Sequence, residues 1–161
     1  MKILILCLVA WCHIGLAEVK LESVPRLDTS TAIKILSAAN EEALKQKVDV
    51  AIVVLGLDGR ILASSRSEKM GPQLYDFATY KAQTSWFIGK ATGELPARNG
   101  QHLELINIGR AKVIRGVKGG IPLYYKGQKV GSIGVSGAHP DIDEAVAVKG
   151  LEAAKGLEMK K

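Results

Sequence analysis

The chain of 161 residues carries few side chains able to do chemistry, and they are scattered. The histidines are His13, His102 and His139, and the cysteines are Cys7 and Cys12. Imidazole can act as base, proton carrier or metal ligand, but His102 and His139, distant from each other and with no acidic or cysteine cluster at ligand spacing, do not make a zinc site. The string GSIGVSG, Gly131 to Gly137, invites a phosphate-loop reading, yet it lacks the G-x-G-x-x-G spacing and a following lysine, and a β-rich run precedes it. Ser136 stands in G-V-S-G rather than in a G-x-S-x-G elbow, and no Ser, His and Asp order supports a triad. Lys81 is more informative. It interrupts a helical stripe of Phe77, Ala78, Ala82, Ser85 and Ile88, where it can either lie along apolar surface or pair with an acidic group.

The elements that must position these residues begin after a leader. Lys2 precedes an apolar run from Ile3 to Val9, and the segment closes with Gly15-Leu16-Ala17, small residues at the positions a signal peptidase inspects. Residues 1–17 are therefore read as a secretory signal, too short in its apolar part to remain as a membrane span, and the product as periplasmic or secreted. Lipidation at Cys12 is the weaker alternative because bulky Trp11 precedes it. Both cysteines and His13 leave with the signal, so the mature chain, 18–161, has no thiolate for nucleophilic, zinc or iron-sulfur chemistry. It must stand on a packed core, for which one domain of this length suffices.

Loss of Lys2 takes the formal charge from +6 to +5. Many lysines sit beside acidic neighbours, as in Glu41, Glu42 and Lys45, which describes solvated helix faces rather than a nucleic-acid surface.

Helix caps at Asp28-Thr29-Ser30 precede a first amphipathic helix reaching about Lys47, with Ile33, Leu36, Ala39, Ala43 and Leu44 as its stripe. Val50 to Leu57 and Arg60 to Arg66, joined at Asp58-Gly59, form a hairpin. A second helix runs from about Gln73 to Lys90. A loop follows, in which Leu103 to Ile108 is ambiguous and Val113-Ile114 suits a short strand. Ile121 to Tyr125 and Val130 to Val135, joined at Lys126-Gly127, make the clearest hairpin. Pro140 and Asp141 open a last helix lined by Ile142, Ala145, Val146, Gly150, Ala153 and Leu157, with Lys160 and Lys161 suited to its carboxyl end. This order implies an α+β domain with a mostly antiparallel sheet. Gly131, Gly134 and Gly137 leave part of the central hairpin bare, where a backbone or a flat ligand could come close.

Asp58-Gly59, Arg66, Lys81-Ala82, Thr92, the GGIP of Gly119 to Pro122, GSIGVSG and Asp143 together resemble the GlcG/HbpS-like haem-binding proteins, a family that includes the PduO carboxyl-terminal domain. The resemblance spans about Ile52 to Ala154. It implies a profilin-like sandwich with a five-stranded antiparallel sheet and flanking helices, and assembly into dimers or larger oligomers. For secreted members it implies haem binding, in some cases beside a sensor protein. The chain departs from the family pattern after Arg66, where Ser67-Glu68-Lys69-Met70-Gly71 replaces a small acidic-glycine loop.

Haem needs an apolar slot, an axial donor to its iron, and cations or amides near its propionates. His139 and His102 are the candidate iron ligands, each with a plain alternative: His139 as a helix-start residue and His102 as a surface loop residue. Met70, Tyr75 and Tyr80 are other donors, more often found packing. Lys81, Arg66, Arg98 and Lys118 are candidates for propionates. The expectation is a non-enzymatic haem-binding protein. The rivals are an oligomeric sensory or scaffold module without haem and an enzyme acting on a small acid.

Overall fold

The computed structural model describes residues 23–98, 103–109 and 111–159. The leader expected at residues 1–17, His102, and Lys160 and Lys161 lie outside them. Eleven described elements run in chain order: α1 (Thr29–Lys45), β1 (Ala51–Leu55), β2 (Ile61–Arg66), α2 (Pro72–Ile88), a 3-10 turn (Thr92–Glu94), β3 (Glu104–Ile108), β4 (Ala111–Arg115), β5 (Gly120–Tyr125), β6 (Gln128–Ser136), α3 (Pro140–Glu152) and β7 (Leu157–Glu158). Five strands form one antiparallel sheet in the order β2-β1-β6-β5-β7, and β3 with β4 forms a separate antiparallel ribbon. This is the α+β fold expected, and the sheet has the expected five strands.

The sheet is covered on both faces, which is why β1 reads as an unbroken apolar run. Ile52 and Val54 point into a core with α1 and α3, built on Ile35, Ala39, Ile133, Val135 and Val146. Ala51, Val53 and Leu55 point the other way, toward Ala78 and Ala82 of α2. The β3/β4 ribbon packs against α2, so three layers result: α1 with α3, the sheet, and α2 with the ribbon. The hairpin between β5 and β6 closes through Lys126 and Gly127, both at positive φ (49° and 74°), the pattern of a type I′ turn.

The bare strip of β6 is filled by the protein itself. A Cβ at Gly134 would stand 2.1 Å from the Ala78 carbonyl oxygen, and one at Gly120 would stand 2.4 Å from that of Lys81. Gly134 of β6 and Gly120 of β5 therefore admit the backbone of α2, Gly131 and Gly137 lie against the carbonyl oxygens of Leu55 and Asp49, and the flat-ligand reading of this strip does not hold.

The buried faces of α1 and α3 are also rotated from those the periodicity predicts. In α1, Ala32, Ile35, Ala39 and Ala43 are buried, while Ile33 and Leu44 are 51% and 76% exposed. In α3, Asp143, Val146, Ala147 and Gly150 are buried, and the helix ends at Glu152. A Cβ on Gly150 would come within 3.0 Å of the Ile35 carbonyl oxygen, so this helix crossing takes small residues and turns the larger ones outward. Gly156, at φ 89°, then reverses the chain into β7, a strand without a sequence signal of its own.

Candidate functional site

Lys81 and Asp143 meet at the carboxyl end of β6. Lys81 comes from the middle of α2 and Asp143 from the first turn of α3, and they are only 4% and 2% exposed. The Lys81 Nζ donates to Asp143 Oδ2 at 2.7 Å and to the Val135 carbonyl oxygen at 2.8 Å. The other carboxylate oxygen of Asp143 accepts from the Ala138 amide at 3.0 Å. Burial pushes the Lys81 ammonium below its ordinary value against the pull of Asp143. It raises the Asp143 carboxyl against the pull of Lys81 and of the Ala138 and Gly137 amides. The pair thus clamps α2, β6 and α3 together at a desolvated point.

Beside it opens a cavity of about 200 Å³, whose walls include Leu74, Phe77, Leu103, Ile114, Val117 and Pro140. Ser136 lines it as well. That residue is 5% exposed, and its hydroxyl makes no hydrogen bond with the described residues. Since no fully enclosed side-chain polar atom among them lacks a partner, this hydroxyl faces the cavity. The result is an apolar slot with one free hydroxyl and an internally neutralised ion pair in its wall. Such a site can accept a small apolar group and hydrogen-bond one polar atom of it. No nucleophile with a facing base is assembled in it, and no three His, Cys, Asp or Glu side chains gather as a metal site among the described residues.

The family described as "Haem degrading protein HbpS-like" matches residues 27–152. The chain belongs to the HbpS-like family. Protein GlcG of Escherichia coli K12 is 32% identical over 115 residues, covering 68% of this chain and 81% of GlcG. Among solved structures, a double mutant of HbpS from Streptomyces reticuli is 32% identical with a TM-score of 0.68, covering 84% of this chain and 95% of that one. PduOC in complex with haem has a TM-score of 0.73 at 22% identity, covering 85% of this chain and 100% of that one, which shows the shared fold.

Within this HbpS-like fold the sequence candidates are dispersed. His139 caps α3: its Nδ1 accepts from the Asp141 amide at 3.4 Å, and its side chain is largely exposed between Ala138 and Pro140, two residues of the cavity wall. His102 lies outside the described residues, although its neighbour in sequence, Leu103, lines the cavity. Met70 packs its Cε against Gly137, and its carbonyl oxygen accepts from an Arg66 guanidinium nitrogen. Tyr75 packs on the second core and donates to Ser64 Oγ at 3.0 Å, away from the cavity. Tyr80 stands edge-on to Phe77, with the Lys112 ammonium over its ring.

The other cations considered for propionates have partners. Arg98 forks onto Glu104, and Lys118 bridges Asp141 and Glu144. Of the described residues predicted for the site, only Lys81 lines the cavity, while His139 stands in sequence between the wall residues Ala138 and Pro140. The free hydroxyl of Ser136 and the apolar wall from Ile114 and Val117 carry no signal as ligand contacts in the sequence. Ser136 is visible there only as an odd polar residue among glycines.

Proposed function

We propose that this HbpS-like chain is an exported haem-binding protein that receives an edge of the macrocycle in the slot beside Lys81 and Asp143. The slot itself is the observation that carries this: an apolar cavity next to the motif residues, with one hydroxyl unpartnered among the described residues, and with the exposed His139 placed in sequence between two residues of its wall. The haem complex of PduOC, on the same fold, supports the reading. At about 200 Å³ the slot is below the several hundred Å³ of pockets that enclose a cofactor, so it takes part of the ring and leaves the rest uncovered. A second copy of the chain covers that remainder. His139 supplies the iron donor and His102 is its rival. Ser136 faces the polar edge. Export rests on the signal read at residues 1–17, and contact with a sensor or receptor protein is part of the same reading.

Haem, when bound, supplies an iron centre capable of ligand and electron chemistry. The chain's own residues contribute burial, one donor and hydrogen bonds. Titration of the mature protein with haemin tests this. A sharpened Soret band that saturates at a fixed stoichiometry is expected, shifted in His139→Ala and unchanged in a Lys90→Ala control. A featureless spectrum would favour the scaffold reading. The family's description supports a second reading, haem degradation. Loss of the Soret band in the presence of ascorbate as reductant and dioxygen as oxidant, with release of iron, and none when dioxygen is withheld, would select it.

A further inference from the structure

On the far side of the sheet from α2 lies a cleft of about 490 Å³ that takes no part in the haem reading. It is bounded by the segment before α1, the first turns of α1, the closing end of the β5/β6 hairpin and the turn after α3. Leu27 and Val130 form an apolar floor, 9% and 2% exposed, and half-buried Leu157 continues it. Arg26, Lys34 and Lys155 stand around this floor with exposed side chains. None of the three has an ion-pair or hydrogen-bond partner for its side chain among the described residues.

Some other surface cations are neutralised. Lys69, Arg98, Lys118 and Lys149 are each paired with a carboxylate. The carboxylate that lines the cleft, Asp28, is already engaged. It caps α1 by accepting from the Thr31 amide at 2.7 Å and from the Ser30 hydroxyl at 2.7 Å. Three uncompensated cations around a greasy floor complement a molecule with an apolar body and an anionic head. We propose that this cleft binds a single-chain carboxylate amphiphile of the fatty-acid class, its chain along Leu27, Val130 and Leu157 and its carboxylate among Arg26, Lys34 and Lys155.

Calorimetric titration of the mature protein with dodecanoate, below its micelle concentration, tests the assignment. Saturable binding at one equivalent per chain is expected, weakened by added salt because the cations are exposed. Dodecanol and dodecyltrimethylammonium should bind at least about tenfold more weakly, since they lack the anionic head. Lys34→Glu with Lys155→Glu should weaken dodecanoate by about tenfold or more, whereas Lys90→Glu, on an exposed residue away from the cleft, should not. Both substituted lysines are exposed, and an unchanged urea midpoint will show that the fold is intact.

No saturable binding, equal binding of the three head groups, or indifference to the double charge reversal would overturn the proposal. Displacement of dodecanoate by one equivalent of haemin would also overturn it as a site of its own. Failure of the haemin titration leaves this result untouched, because the two sites share no residue.

Discussion

Lys81 and Asp143 are 62 positions apart in sequence and 2.7 Å apart in space. A buried ion pair is costly to form and costlier to break on one side, because the survivor keeps its charge without a partner. Lys81→Met should therefore destabilise the protein by about 3–5 kcal/mol. Combining it with Asp143→Leu should recover much of that loss. Urea unfolding followed by the fluorescence of Trp86 measures both; a double variant as unstable as the single one would mean that the pair contributes more than mutual neutralisation.

The carboxyl groups also set an acid dependence whose sign can be worked out. Hydrogen bonds or ion pairs hold Asp49, Asp141 and Glu104 below their ordinary values of 3.8, 3.8 and 4.5. The native state then binds fewer protons than the unfolded one. Their stabilisation is present above those ordinary values and is lost as the pH falls through the lowered ones. Asp143, raised from 3.8 by burial, acts in the opposite sense: its contribution is present below 3.8 and is lost as the pH rises through the raised value. Asp143→Asn should thus make the loss of stability on acidification steeper than in the parent chain over the range from the raised Asp143 value down to 3.8. A series of urea midpoints against pH reads this directly, and parallel curves would contradict it.

At the scale of elements, the glycines of β6 and β5 position the site by letting α2 lie close enough for Lys81 to reach β6. Gly134→Ala would set a methyl 2.1 Å from the Ala78 carbonyl oxygen, and the helix must move away. A loss of about 1–3 kcal/mol or more is expected. Gly127→Asn is the control. Gly127 has positive φ, but a Cβ there would meet nothing within 4 Å, and Asn tolerates that backbone, so its denaturation midpoint should shift far less.

This element also shows what the sequence makes legible. The two hairpins can be read because Asp58-Gly59 and Lys126-Gly127 are local turn chemistry, and α2 because its inward face is marked by Ala78, Ala82 and Ser85. What fills the glycine strip cannot be read, since a bare strand looks the same whether a ligand or a helix approaches it. The faces of α1 and α3 depart from the periodicity for a related reason. Periodicity weighs bulk, while the α1/α3 crossing at Ala39 and Gly150 selects smallness. Asp143 is visible as part of a motif, but its burial depends on a lysine brought from another helix, and no local pattern announces such a meeting.

For the whole molecule, the ribbon of β3 and β4 is the layer with least cover. Among the described residues β3 pairs with β4 alone, so its outer edge keeps unpaired backbone groups. Leu105 and Ile108 on it are 44% and 38% exposed, and Phe87 at the end of α2 is 53% exposed. An uncovered edge that carries exposed apolar side chains can recruit another strand. Leu103, which precedes β3, lines the proposed haem slot, so a second copy joined at this edge would lie next to the part of the macrocycle that this slot would leave open. The proposed self-assembly and the proposed haem site then depend on one surface.

Leu105→Lys with Ile108→Lys should accordingly lower the mass seen by sedimentation equilibrium toward that of one mature chain, since a charge on each exposed position opposes edge pairing without touching the core. The same variant should lose part of its haemin affinity while keeping the far-UV spectrum of the parent. An unchanged assembly would place the contact elsewhere on the molecule. Dissociation with full haemin affinity would show that one chain covers the macrocycle alone.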